Sequence, residues 1–182
     1  MSRTILVTGA TGHQGRAFIS AINSVENTDF RILALTRNPT AAPAQELALE
    51  KNVTVVQGNL DSPDSVRTVF EKAKEDGGIW GVFCVLAFPG LGVNSDGEER
   101  QGKVWLLLCG QHLSTLVFSQ LLADLALEFG TSCFVFSSYE RAGESYDDKV
   151  ESSHRSKINI EHHIRELGSK GLSWTCVDLF SW

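Results

Sequence analysis

The chain has 182 residues, 42% hydrophobic and 21% charged, enough for one domain with a buried core. Its formal net charge of −6 argues against broad contact with nucleic-acid phosphates, so no direct nucleic-acid partner is expected. No apolar run reaches the about 18 residues of a membrane span, and the N-terminus enters a strand with no room for a signal peptide, so a cytoplasmic protein is expected.

Strand-like and helix-like segments alternate from the first residues. Thr4–Thr8 is β-branched and apolar and reads as a buried strand. Gln14–Val25 places Phe18, Ile19, Ile22 and Val25 on one helical stripe. Arg31–Leu35 and Val53–Gln57 read as the second and third strands. A helix then opens at Asp61, with Ser62 as N-cap and Pro63 at its first position. Val66, Val69, Phe70 and Ala73 form its apolar face, and Gly77–Gly78 ends it. Gly81–Ala87 is a wholly apolar fourth strand, followed by a polar, glycine-rich loop over Pro89–Gly102. Cys133–Phe136 is a fifth strand closed by Ser137 and Ser138. Ser153–Gly168 reads as a helix with Ile160, Ile164 and Leu167 inward and Gly168 at its C-cap, and Leu172–Val177 as a sixth strand. Parallel strands need crossover connections, usually helices, so the alternation predicts an α/β doubly wound parallel sheet in one domain over residues 1–182. The four cysteines, Cys84, Cys109, Cys133 and Cys176, form no CxxC pair, as expected of reduced thiols.

The segment Thr8-Gly9-Ala10-Thr11-Gly12-His13-Gln14-Gly15 follows the first strand and opens the first helix. The first glycine permits a tight turn, the second lets the backbone approach a pyrophosphate, and the third lets helix and sheet pack closely. The free N–H groups of the helix start suit phosphate oxygens. Gly9, Thr11, Gly12, His13, Gln14 and Gly15 are therefore expected to bind a nicotinamide dinucleotide on a Rossmann-type sheet. The second strand runs into Arg37, where an acidic residue would select the ribose 2′-hydroxyl of NAD. A guanidinium suits a 2′-phosphate, so the expected cofactor is NADP(H), the alternative being that Arg37 is a solvated surface residue. Asn59, Leu60 and Asp61 follow the third strand, where they are expected beside the adenine; Asp61 serves equally as a turn residue. Ala87 and Phe88 are expected to line the floor under the nicotinamide half.

The ordered set TGATGHQG, LTRNP, QGNLDSPDSV, WGVFCV, ERQGK, FVFSSYERAGE, SHRSK and IEHHIRE resembles the NmrA-like family, atypical members of the short-chain dehydrogenase/reductase superfamily. The resemblance implies a Rossmann fold and NADP(H). It also implies either a redox-sensing regulator with a protein partner, acting in the cytoplasm or nucleus, or an NADPH-dependent oxidoreductase of small carbonyls or quinones. Family members continue past the sixth strand into a substrate-side lobe, which is expected to be largely missing here. A superfamily reductase uses Tyr-x-x-x-Lys, where tyrosine exchanges the proton and lysine holds the nicotinamide ribose. Lys157 fits the lysine, but Ser153 stands in the tyrosine position. A serine hydroxyl is too weak an acid to replace a phenol unaided. His154 lies one position off that register, and Ser137 and Ser138 stand at the strand end where a substrate-polarising serine is expected. Lys157, His154 and Ser138 are thus the catalytic candidates. Tyr139 and Tyr146 lie ahead of the helix, and His162 and His163 point about 100° apart on it, a poor metal pair, so no metal is expected.

One stretch breaks the family pattern. Val104–Gln120 is strongly apolar without a clean stripe and separates Lys103 from the family-like LLADLALEFG. Valine codons begin GT and one glutamine codon is CAG, the usual intron borders, so the segment reads as a translated intron, the alternative being a buried extension of the helix before the fifth strand. The LFSW ending has the look of a second read-through. Transcript sequencing is expected to find a major message that joins Lys103 directly to Leu121; a major message that keeps the segment would refute this.

Overall fold

The computed structural model describes residues 2–26, 29–60, 62–86, 120–139, 143–149 and 152–179, with the backbone alone at 139, 148, 149, 152–156, 178 and 179. Six strands, β1 (Arg3–Val7), β2 (Phe30–Thr36), β3 (Val53–Gln57), β4 (Gly81–Cys84), β5 (Cys133–Tyr139) and β6 (Trp174–Leu179), form one sheet. All its pairs are parallel, in the order β3-β2-β1-β4-β5-β6. The helices are α1 (His13–Ser24), α2 (Ala42–Leu47), α3 (Pro63–Glu75), α4 (described over 120–128) and α5 (Ser152–Gly168). Strand order turns back between β1 and β4, which opens a crevice at the carboxyl ends where such sheets bind ligands.

The alternation of side chains along each strand divides the core in two. Leu6, Leu33, Leu35, Val82, Cys84, Phe134 and Phe136 face α3, α4 and α5, including Phe70, Leu122, Leu125, Ile160 and Ile164. Ile5, Val7, Ile32, Ala34, Phe83 and Val85 face α1 and α2, meeting Ile19 and Leu47. Phe18 of α1 stacks on Phe83 with ring centroids 4.1 Å apart. Strands buried on both faces read as unbroken apolar runs, which is why these were visible in the sequence.

The expected doubly wound sheet is present, with differences at element ends. The α1 helix stops at Ser24, and Val25 is 58% exposed as its C-cap, outside the stripe expected to hold it. The helix α2, unforeseen, buries Ala44 and Leu47 in only six residues, too short for a periodic signal. The α3 cap is as expected: Ser62 Oγ accepts from the Ser65 N–H at 3.4 Å, with Pro63 in the first turn. The strand β4 ends at Cys84, because the Val85 N–H bonds the Thr8 side chain and not a neighbouring strand. The strand β5 runs on through Ser137 and Ser138, which pair with Val177 and Asp178 of β6. Leu172 belongs to the turn closing α5, its N–H bonding the Leu167 carbonyl at 3.1 Å, so β6 starts only at Trp174. Pro89–Gly102 lies outside the described residues, as does Val104–Gln120 apart from Gln120, which is helical.

Gly168 ends α5 for a reason other than the expected left-handed cap. The left-handed conformation falls on Gly171, at φ 110°. At Gly168 a Cβ would stand 2.2 Å from Trp174 Nε1 and 2.8 Å from its Cδ1, so the missing side chain seats the indole. In an open helix Gly→Ala gains about 1 kcal/mol. Gly168→Ala is expected instead to lose about 1 kcal/mol net, the middle of what remains when an overpacking cost of about 1–3 kcal/mol is set against that gain. A lowered urea midpoint at unchanged m-value is the expected readout; an unchanged or raised midpoint would show that the indole yields freely.

Candidate functional site

The first strand leaves the sheet through Thr8, which is fully buried. Its hydroxyl donates to the Val85 carbonyl at 2.9 Å and accepts from the Val85 N–H at 2.9 Å, joining the ends of β1 and β4. Gly9 then turns in the left-handed region, at φ 59°, where a Cβ would come within 3.0 Å of that same carbonyl. The Gly12 N–H closes the turn on the Gly9 carbonyl at 3.0 Å. Gly12 is the N-cap of α1, with no side-chain cap and no acidic residue in the first turn. The amides of that turn and the positive end of the helix dipole are thereby left for an anion.

The three glycines have different duties. At Gly15 a Cβ would lie 2.3 Å from the Gly9 carbonyl oxygen and 2.6 Å from Ala10 Cα, so the turn itself forbids one. At Gly12 a Cβ would meet only the Gly9 carbonyl oxygen, at 3.3 Å. The protein nearly tolerates a side chain there, on the face where a pyrophosphate would approach. Geometry and donors fit the diphosphate of a dinucleotide, with no acidic side chain in the first turn to oppose it.

Arg37 follows directly on β2, exposed, and enters no ion pair among the described residues. The next residues are ordered locally: Asn38 Oδ1 accepts from the Thr40 N–H at 3.1 Å and the Thr40 hydroxyl at 2.7 Å. Beyond β3, the Gly58 N–H bonds the Thr36 carbonyl at 3.0 Å, and the Asn59 N–H donates to Ser65 Oγ at 3.1 Å. Asn59 is half-buried, and Leu60 packs its side chain against the core. Asp61, Ala87 and Phe88 lie outside the described residues.

Arg16, unremarked in the sequence although it directly follows the glycine motif, ties these parts together. Its Nε donates to the Thr11 carbonyl at 3.3 Å, and its Nη2 to the Pro43 carbonyl at 3.0 Å and Glu46 at 2.8 Å. One side chain thus fastens the phosphate turn to α2, just past Arg37.

At the other end of the crevice, β5 presents Ser137 and Ser138, both buried. The Ser137 hydroxyl donates to Gln14 Oε1 at 2.8 Å, so the Gln14 side chain reaches from α1 to β5. The Ser138 hydroxyl donates to Oε1 of Glu161, a carboxylate only 4% exposed. Lys157 Nζ donates to the Ser138 carbonyl at 3.2 Å. Burial holds the half-buried Lys157 amine below the usual lysine range, opposed by Cys84 and Glu161. Burial pushes the Cys84 thiol up to about 12, against a hydrogen bond with Thr8, so it stays protonated at neutral pH. Lys157 meets the backbone carbonyl of Ser138; the side chain of His154 lies outside the described residues. Glu161 was missed, although an acidic residue one turn after Lys157, on the same side as Ile164, was a visible signal.

The NmrA-like family profile matches residues 1–180. The chain belongs to the NmrA-like family. An NmrA-like family domain-containing oxidoreductase of Aspergillus hancockii is 31% identical over 166 residues, covering 90% of this chain and 42% of that protein. This NmrA-like chain spans under half the length of the curated relatives it matches. The crystal structure of NmrA, a negative transcriptional regulator, in complex with NADP is 22% identical, with a TM-score of 0.64. It matches 97% of this chain and 45% of its own. The NADPH-bound carbonyl reductase from chicken fatty liver is 18% identical, with a TM-score of 0.67 over 97% of this chain and 74% of its own. At these identities the solved structures establish a shared fold.

The contrast between the glycines is testable on the isolated protein. Gly15→Ala is expected to destabilise the fold by at least about 1–3 kcal/mol, because backbone must move to admit the methyl group. Gly12→Ala is expected to change stability by less than about 1 kcal/mol, its one neighbour having only to give slightly. Equal urea midpoints for the two variants would refute the division of duties.

Proposed function

We propose that this chain binds NADP(H) in the crevice and works as a redox-sensing regulator without strong catalysis, its partner contacts following cofactor state. First-turn amides of α1 would hold the diphosphate, Arg37 the 2′-phosphate, Asn59 and Leu60 the adenine side, and Lys157 the nicotinamide ribose. The bound cofactor supplies or accepts hydride. The relative that structurally resembles this chain and carries NADP is itself a negative transcriptional regulator.

The observation that carries the regulator reading is where the strand-end hydroxyls point. Ser137 donates to Gln14 and Ser138 donates to Glu161. A hydroxyl has one proton to donate, so neither polarises a substrate carbonyl in this arrangement. Ser153 replaces the proton-exchanging tyrosine four residues before Lys157. A positioned acid or base typically supplies about 10²–10⁴ in rate, and that contribution is absent from this register. The second reading, an NADPH-dependent oxidoreductase of a small carbonyl or quinone, is favoured by the name of the Aspergillus hancockii relative and by Lys157 in the lysine position of the superfamily motif.

Calorimetric titration with NADPH, NADP+, NADH and NAD+ tests the cofactor, and NADPH oxidation with aldehydes, ketones and quinones tests catalysis. NADP(H) is expected to bind more tightly than NAD(H), with negligible turnover. Arg37→Ala should weaken NADP(H) more than NAD(H), by about 1–3 kcal/mol, the worth of a charge-assisted phosphate contact. Gly12→Val should abolish binding of all four and leave the fold largely intact. Equal loss of both cofactors in Arg37→Ala would remove the 2′-phosphate assignment. Robust turnover that vanishes in Lys157→Ala would establish the oxidoreductase in place of the regulator.

A further inference from the structure

Glu161 is a carboxylate inside the core-facing side of α5, a costly place for a charge without a purpose. It follows Lys157 by one helical turn, so the two side chains share a face. Around it the bonds form a short circuit: Lys157 Nζ to the Ser138 carbonyl at 3.2 Å, and the Ser138 hydroxyl to the Glu161 carboxylate.

We propose that Glu161 is the positioning residue of this site: its buried carboxylate holds the Lys157 ammonium charged and aimed toward the cofactor ribose, and keeps the Ser138 proton turned inward. The ribose part rests on the dinucleotide reading above. Among the described residues, the titratable groups bearing on Lys157 are Cys84 from β4 and Glu161 from its own helix. Cys84 is a neutral thiol at physiological pH, its deprotonation deferred to about 12. After Cys84, Glu161 is the group whose charge opposes desolvation of the ammonium. The sign follows: with the carboxylate removed, burial acts less opposed and the Lys157 amine loses its proton at lower pH. Ser138 has the same dependence, since its hydroxyl is directed at Glu161 and not at the crevice.

Two measurements on the full chain test this. The first is the NMR titration of the Lys157 amine in the cofactor-free protein, assigned by its disappearance in Lys157→Arg. The second is the NADPH dissociation constant as a function of pH. In Glu161→Gln the amine titration and the alkaline loss of NADPH affinity are both expected to move together to lower pH. In the Lys157→Ala background the same substitution is expected to leave NADPH affinity unchanged within twofold, since Glu161 acts through the lysine. Glu161→Met, which fills the volume with no buried polar atom to satisfy, is the reserve if the glutamine variant does not fold, with the same expected shifts. An amine titration identical to that of the unsubstituted chain overturns the proposal, whether or not NADPH binds. An equal fractional loss of affinity in both backgrounds, with no movement of the alkaline limb, assigns Glu161 a merely structural role and also overturns it. Failure of the unsubstituted chain to bind NADPH at any pH overturns the dinucleotide reading instead, while a shifted amine titration still upholds the control of Lys157 by Glu161.

Discussion

The rest of the structure depends on how the chain leaves β1. It must pass from a buried strand to a helix packed on the sheet in five residues, Thr8 to Gly12, while the end of β4 lies alongside. The Thr8 hydroxyl makes this possible by bonding both the N–H and the carbonyl of Val85. That pair satisfies two buried backbone groups which would otherwise each cost about 1–3 kcal/mol. It also brings Val85 so near that position 9 has no room for a Cβ. Gly15 then lets the first turn of α1 rest on the backbone of Gly9 and Ala10. The anion-ready amides at the α1 start follow from this close packing: a helix that must begin against a bare backbone turn has no side chain at hand to cap it.

From that point the two halves of the crevice are built on opposite principles. The turn half presents amides without a side-chain cap and an exposed Arg37 that enters no ion pair among the described residues. The β5 half consists of groups already bonded to one another, with Ser137 on Gln14, Ser138 on Glu161 and Lys157 on the Ser138 carbonyl. An open set of donors suits tight holding of a charged ligand. A closed set suits stiffness, because each member loses a partner if it turns away. Reduction of a carbonyl calls for the reverse at β5, a hydroxyl free to follow charge as it develops on the substrate oxygen.

The sequence disclosed what depends on backbone sterics and period. The glycine spacing, the strand runs and the Ser62 cap each have a local physical cause that operates within a few residues. What it concealed depends on partners far along the chain. Val85 leaves the ladder because of Thr8, 77 residues away. Gly168 looked like a helix stop and is a seat for Trp174, on the next element. The bond from Ser137 to the Gln14 side chain joins residues 123 positions apart, beyond the reach of local pattern. Glu161 was legible in principle, as a carboxylate on an apolar face, but its meaning needs Ser138 beside it.

A regulator that reads cofactor state must turn a small chemical difference into a change of shape. Oxidised and reduced nicotinamides differ by one positive charge on the ring, and nothing at the diphosphate changes. The link between the two halves of the crevice through Gln14 and Ser137 is one neutral hydrogen bond. Such a bond is worth about 1 kcal/mol net, so alone it couples the ends by no more than about fivefold. Charges near the ring have greater reach, because a half-buried charge pair is less screened than one in water. Among the described side chains, Lys157 and Glu161 both bear on Ser138 at that end. On the proposed regulator reading, redox discrimination would fall to the α5–β5 cluster, and the phosphate turn would supply affinity common to both cofactor states.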